Sequence, residues 1–441
     1  MIRYRGSASF LLASAAALVL GWALPADAQQ PAGAAPNVKL GIVSFLTGPA
    51  AAPFGIPGRN PAEILIEALN SGKVPAPYDT PVGLGGTKIE AKYVDEAGST
   101  ANQVTEFRNL VQRDNVDAVV GYVSSGSCLA VAPVAEDLKA LTVLYDCGTP
   151  RIFEEAARKY VFRVSPHATM DSVGAALYVT QKLKNISLYS GLNQNYAWGQ
   201  DSWRDFVLAM RMLAPKAAVD KELFPKLFAG EYGAEISALL TSNSQFIHSS
   251  FYDGDLEAFV FQAGARGLLQ RIPVVMTTGE AALLRLGARL PDGTIIGGRG
   301  PHGPLAKESE LNRWFVKVYT DRYGIPPTYP SYHMAQSILG LKTAWDKAEG
   351  NKGSGRPSPE EVAAAFEGIE FQGPSTAISM RLGKGHQGIS ETAYATYRFN
   401  KQEAKPELTD VAYYPAECVN PPEGVTAVAW LEGGMKDAKC K

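Results

Sequence analysis

No Cys-x-x-Cys pair occurs in the sequence. None of its five histidines (His167, His248, His302, His333 and His386) stands at His-x-His or His-Glu-x-x-His spacing. Zinc sites and dithiol redox centres are built on such pairs, so neither metal nor redox chemistry is indicated, and no cofactor is expected. Gly-Lys-Ser and Gly-Lys-Thr are both missing, which removes the phosphate loop. Gly83-Leu84-Gly85-Gly86 lacks the dinucleotide spacing and precedes a strand, so it reads as a turn. Excess positive charge is missing too: 42 Lys and Arg face 44 Asp and Glu, a formal net charge of −2. That balance gives no reason to expect nucleic acid or an anionic membrane surface as a partner. Beyond the N-terminus no run is long and apolar enough to span a bilayer, which takes ~20 apolar residues.

What is present begins with an export signal. Arg3 and Arg5 precede an apolar stretch from Phe10 to Leu20, and Ala26-Asp27-Ala28 supplies a small-x-small cleavage site. Residues 1–28 are expected to be a cleaved signal peptide, which delivers the mature chain to the periplasm; a retained membrane anchor is the alternative. Four cysteines suit an oxidising compartment. Cys128 and Cys147 each follow a strand-like run, and Cys418 and Cys440 bound a polar tail. The expected disulfides are Cys128–Cys147 and Cys418–Cys440, against the alternative of four reduced buried thiols.

The chain has 441 residues. At ~100–200 residues per domain it is expected to form two or three domains. Strand and helix patterns alternate along it. Strands are expected at Val38–Phe45, Lys88–Val94, Val116–Val123 and Leu141–Tyr145. Helices follow at Arg59–Asn70 and after Ser99, which stands as an N-cap. From Tyr160 a second series begins. It comprises helix His167–Leu183, strand Ile186–Tyr189, helix Trp198–Met212, strand Glu222–Leu227, helix Ala234–Leu240, strand Phe246–Phe251, helix Asp255–Leu269 and strand Pro273–Thr278. A short strand at Thr294–Ile296, helices Glu308–Tyr323, Tyr332–Glu349 and Pro359–Phe366, and a strand pair near Ile378–Leu382 and Ala395–Phe399 complete it. The pattern predicts an α/β fold of two doubly wound parallel-sheet lobes, with a ligand cleft between them at the strand ends.

Gly121–Cys128, GYVSSGSC, follows one of these strands. None of its serines has glycine two residues away on both sides, so it is no nucleophile elbow. His248 falls in an expected strand and reads as a core or rim residue. The residues make no positive case for catalysis, and no enzyme is expected. Ser124–Ser127 would instead open a helix, where free backbone N–H groups and a positive dipole favour an anion. Cys147-Gly148-Thr149 repeats the arrangement after the next strand. Two such ends side by side suit a carboxylate; ordinary caps and turns are the alternative.

At these residues a resemblance appears. The chain resembles the type I periplasmic solute-binding proteins of ABC importers, in the leucine/isoleucine/valine-binding branch. The motifs VKLGIVSFLTGPAAAPFG, KIEAKYVDEAGSTANQ, VVGYVSSGSCLAVAPVAE, CGTP, FRVSP, NYAWGQD and PSYHMAQSILGLKTA occur in order from Val38 to Phe399. The resemblance implies two lobes joined by a three-strand hinge. The first would hold residues 36–164 and 299–372, the second 165–298 and 373–400, with 401–441 a disulfide-stapled tail and crossings near Ser165, near Gly298 and within 372–393. It implies that Ser125 and Thr149, with the Cys147 backbone, hold a ligand carboxylate. Phe54 would form an aromatic wall. Tyr196 and Tyr252 would close over the ligand, core packing being their alternative role. Glu280 would receive an α-ammonium, or else serve as a helix N-terminal acid.

The implied function is import of a small carboxylate, a branched-chain or other apolar amino acid foremost. A monomer would deliver it to a membrane permease and its ATPase. Aromatic carboxylates, amides and urea-like compounds are alternative ligands, a ligand-sensing domain an alternative role, and a secreted hydrolase a third reading. Three features depart from the branch: a long proline-rich loop from Gly72 to Gly86, Trp198 beside Tyr196, and the tail. Phe54, Tyr122, Tyr196, Trp198 and Tyr252 together would suit a flat apolar ligand.

Overall fold

A computed structural model describes residues 36–353 and 355–440; the signal peptide expected at 1–28 lies outside them. Fifteen strands form two sheets among the described residues. The first sheet has β1 (Val38–Ser44), β2 (Ile89–Asp95), β3 (Ala118–Gly121), β4 (Thr142–Leu144) and β5 (Val161–Arg163) in parallel pairing. The second has β6 (Leu188–Leu192), β7 (Ala218–Leu223), β8 (Ile247–Ser249), β9 (Val274–Met276) and β10 (Ile295–Gly297), also parallel. Buried alternation drives this: Leu40, Ile42, Val120 and Val143 face one core, Val43, Val119 and Leu144 the other. Helices cover both faces of each sheet, so a continuous apolar strand is buried on two sides.

The C-terminal strands correct the expected boundaries. β11 (Glu370–Gln372), β12 (Ala377–Leu382) and β13 (Gln387–Ile389) extend the first sheet, β13 lying parallel to β5. Residues 377–389 therefore belong with the first lobe, and the region near Ile378 does not pair with that near Ala395. β14 (Thr392–Asn400) instead pairs antiparallel with β10, and β15 (Lys405–Tyr414) pairs antiparallel with β14. So 401–441 is no separate tail: its first half is an edge strand of the second sheet. Its remainder packs Cys418, Val419, Trp430 and Leu431 into that lobe's core. The sheets are mixed rather than wholly parallel, and the chain passes between them after β5, after β10 and between β13 and β14.

Helix ends follow local chemistry. Ser99 Oγ accepts the Asn102 N–H at 3.3 Å, capping helix Thr100–Arg108 as expected. Ser358 and Glu361 close a reciprocal capping box on helix Pro359–Phe366. The long helix starts at Tyr329 rather than Tyr332 because Pro330 fits a first turn, where its missing N–H costs nothing. β7 forms earlier than the expected Glu222–Leu227, since Pro225 cannot donate to the ladder. Both expected disulfides, Cys128–Cys147 and Cys418–Cys440, are present. Among the described residues no helix is long and apolar enough to cross a membrane, and no group of His, Cys, Asp and Glu is placed to hold a metal ion.

Candidate functional site

β3 ends at Gly121, and Tyr122 follows in the left-handed region at φ 72°, an uncommon state for a bulky residue. The turn aims two backbone donors at one acid. Val123 N–H meets Glu96 Oε2 at 2.7 Å and Ser124 N–H meets Oε1 at 2.8 Å. Glu96 is buried, and burial pushes its pKa up to about 8. The cradle expected for a ligand carboxylate thus holds a carboxylate of the chain itself.

The neighbouring strand ends are similarly satisfied from within. Ser125 is fully buried, and its hydroxyl oxygen accepts the N–H groups of Gly148 and Thr149, both at 3.2 Å. Thr149 Oγ1 donates to Asp201 Oδ2 at 2.6 Å, a bond between the lobes. The Cys147 carbonyl accepts from Arg163 Nη1 at 2.6 Å, and the Cys147 sulfur is tied to Cys128. Ser125, Cys147 and Thr149 therefore form the floor behind the cleft and do not line its cavity. Tyr122 points into the core behind β3, not into the cleft.

The cavity itself lies between Phe54, Gly148, Tyr196, Trp198, Tyr252 and Tyr329, with Asp146, Arg299, Val123 and Thr278 completing its wall. Its volume is only about 10 Å³, room for little more than one water. Phe54 comes from the turn after β1, where five residues wind wider than an α-helix and lead into helix Ile56–Asn70. Its ring meets Tyr252 edge-on at 5.5 Å and Tyr329 at 5.4 Å. The Tyr196 hydroxyl donates to that of Tyr252 at 2.9 Å. Trp198, in the first turn of helix Ala197–Leu213, donates Nε1–H to the Ser250 carbonyl at 2.9 Å and packs its six-membered ring against Gly148. A Cβ at position 148 would come within 2.2 Å of the indole, so only glycine leaves room for it.

Two residues that the sequence reading did not single out organise the cleft. Arg299, just after β10, is 4% exposed and takes a left-handed φ of 47°. It donates Nε–H to Asp171 at 3.0 Å, Nη1–H to the Asp146 carbonyl and carboxylate, and Nη2–H to the Pro166 carbonyl at 2.7 Å. Its guanidinium stacks 4.6 Å from the Trp198 ring centre. Burial works against its charge, and Asp146 and Asp171 outweigh that, so it stays protonated. Asp146 carries the opposite balance: burial raises its pKa to about 7 against the pull of Arg299 and Arg163. Its Oδ1 also meets His333 Nδ1 at 2.6 Å, while Oδ2 has no partner. Burial holds His333 well below its ordinary pKa, leaving it neutral. A lone Arg after a short strand and a lone Asp after another carry no spacing signature, which is why pattern reading passed over them.

Glu280 does not reach the cavity. Its Oε2 accepts the Tyr329 N–H at 2.7 Å, so it caps the long helix, the helix-terminal role given above as the alternative. Gly303 makes room for it: a Cβ there would lie 1.9 Å from Oε1. His248 is buried between Trp203 and Phe206 in the second lobe. Of the seven expected ligand residues, Phe54, Tyr196 and Tyr252 line the cavity and Ser125, Cys147, Thr149 and Glu280 do not.

No curated protein matches the chain in sequence. Solved structures share its fold. A Rhodopseudomonas palustris ABC-transporter solute-binding protein in complex with benzoate is 18% identical, with a TM-score of 0.73 over 89% of this chain and 100% of that one. A second, from strain BisB5 with 3,4-dihydroxybenzoic acid, is 20% identical with a TM-score of 0.72 over 86% and 98%. A closed leucine-, isoleucine-, valine-, threonine- and alanine-binding protein from Brucella ovis is 18% identical with a TM-score of 0.71 over 88% and 97%. The periplasmic binding protein family matches residues 37–403. The chain belongs to that family, whose members bind solutes and are not enzymes.

Proposed function

We propose that this protein captures a small aromatic carboxylate in the periplasm and delivers it to a membrane permease powered by an ATPase. The observation that carries this reading is the cavity wall: Phe54, Tyr196, Trp198, Tyr252 and Tyr329 surround a single guanidinium, that of Arg299. Aromatic faces and edges suit a flat ring, each good pair adding about 0.5–1.5 kcal/mol beyond burial. Arg299 Nη2 lies beside the Gly148 floor, within reach of a carboxylate sharing that floor. The closed cavity is smaller than any such ligand, so entry requires the lobes to part at the crossings after β5, after β10 and between β13 and β14. The proteins with benzoate and 3,4-dihydroxybenzoic acid share this fold, which supports the reading.

A second reading, an apolar amino acid, has one observation in its favour. Asp146 lines the cavity and its buried Oδ2 has no hydrogen-bond partner, which an ammonium group would satisfy. Intrinsic fluorescence separates the two. Benzoate and 4-hydroxybenzoate are expected to change Trp198 emission saturably in ligand-stripped protein, and leucine to leave it unchanged. A saturable response to leucine alone would transfer the proposal to amino acids.

A further inference from the structure

A larger cavity, about 320 Å³, lies on the hinge side of the molecule, away from the aromatic cleft. One wall is first-lobe chain from Pro150 to Arg163 with the β12–β13 turn, and the other is the C-terminal segment from Pro421 to Thr426. That segment is anchored in the second lobe by Trp430 and Leu431 yet bonds to the first: Glu154 Oε1 accepts the Ala427 N–H at 2.7 Å, and Glu423 Oε1 accepts the Lys384 N–H at 2.8 Å. It straps the lobes together across the cavity. Arg163 lies at the bottom, fully buried. Its Nε–H goes to Gln387 at 2.5 Å and its Nη1–H groups to the carbonyls of Cys147 and Thr149, while Nη2 has no hydrogen-bond partner. Arg158 and Lys384 stand at the rim. Among the described residues none of these three cations has a carboxylate within ion-pair reach. Three acids share the lining: Glu154 and Glu423 each accept a backbone N–H, Glu155 pairs with Arg151, and Glu154 is the carboxylate that most favours the Arg163 cation. The Phe153 ring, 5.5 Å from the Arg163 guanidinium, gives the cavity one apolar side.

We propose that this cavity is a second ligand site, for a small aliphatic di- or tricarboxylate. One carboxylate is held by Arg163 Nη2 at the bottom and another by Arg158 and Lys384 at the rim. A buried guanidinium with an unpaired donor is costly unless an acceptor meets it, and the volume holds an acid of that size. Through Arg163 the ligand touches the same guanidinium that fixes the Cys147 and Thr149 carbonyls behind the cleft. The site is independent of what the cleft binds.

Isothermal titration of succinate and of citrate into the mature full-length protein tests it. At least one is expected to bind with one-to-one stoichiometry. Lys384→Glu and Arg158→Glu, both on surface-accessible residues that leave the core intact, are each expected to weaken it about tenfold or more, the scale of one charge-assisted contact. Tyr252→Ala, whose side chain lines the cleft and not this cavity, is expected to leave that binding unchanged. Absence of binding by both acids to the wild-type protein would overturn the proposal. So would binding that survives both charge reversals or is abolished by Tyr252→Ala.

Discussion

Trp198 makes contacts that only a closed cleft supplies: its ring covers Gly148 of the first lobe and stacks on Arg299. In Trp198→Ala, affinity for an aromatic carboxylate is expected to fall by roughly tenfold to a hundredfold, the range typical of a central aromatic contact. Titration calorimetry of the variant reads this directly. Glu280 offers a different test, through pH. The unfolded chain releases this proton near the ordinary value of 4.5, while burial delays release in the folded protein to about 8. Across that window the folded state holds more protons, so its stability is full below about 4.5 and declines as pH rises towards 8. Glu280→Gln keeps the acceptor for the Tyr329 N–H and removes the titration. Its Tm should gain on the wild type by roughly a few degrees between pH 5 and pH 8, and equal pH slopes in thermal melts would contradict this. At this scale the sequence was most and least legible. Aromatic residues in named motifs (Phe54, Tyr196, Tyr252) reached the cavity. The hydroxyl of Ser125 did not, because Gly148 and Thr149 N–H groups had already claimed it, a contact set by tertiary distance that no motif encodes.

Secondary-structure elements were read with few errors wherever periodicity was strong, and the errors have local causes. Proline decided two boundaries, Pro330 by admitting an earlier helix start and Pro225 by ending a strand early. The capping box on helix Pro359–Phe366 gives a clean local test. Ser358→Ala removes the acceptor for the Glu361 N–H and is expected to cost about 1 kcal/mol in chemical denaturation. The C-terminal segment after β15 depends on its crosslink. Cys418 and Cys440 are separated by 22 residues, a closure that restricts the unfolded chain by about 3 kcal/mol in the chain-entropy model. The double serine variant is expected to lose stability of that order and to be cut by protease first between 415 and 440. Unchanged denaturation would show that Trp430 and Leu431 hold the segment alone.

At the scale of the whole molecule, the assignment of strands to lobes was the least legible feature. β12 and β13 return to the first sheet while β14 and β15 join the second; sheet membership follows from which edge is open, not from the strands' own residues. The lobes are joined at their centre by Arg299, which bonds to Asp146 after β4 and to Asp171 in helix Ala168–Lys182. In Arg299→Met two buried carboxylates lose their cation. A destabilisation of about 3–5 kcal/mol is expected. It should grow as pH rises from 6 to 8, because acids without that cation hold their protons more tightly in the folded state alone.

The central claim concerns the occupant of the aromatic cavity. Isothermal titration of benzoate and of leucine into ligand-stripped mature protein tests it most directly. Saturable one-to-one binding of benzoate, absent for leucine and weakened in Trp198→Ala, is the predicted result. Tight binding of leucine with no heat from benzoate would contradict it and make Asp146, not the aromatic wall, the feature that selects the ligand.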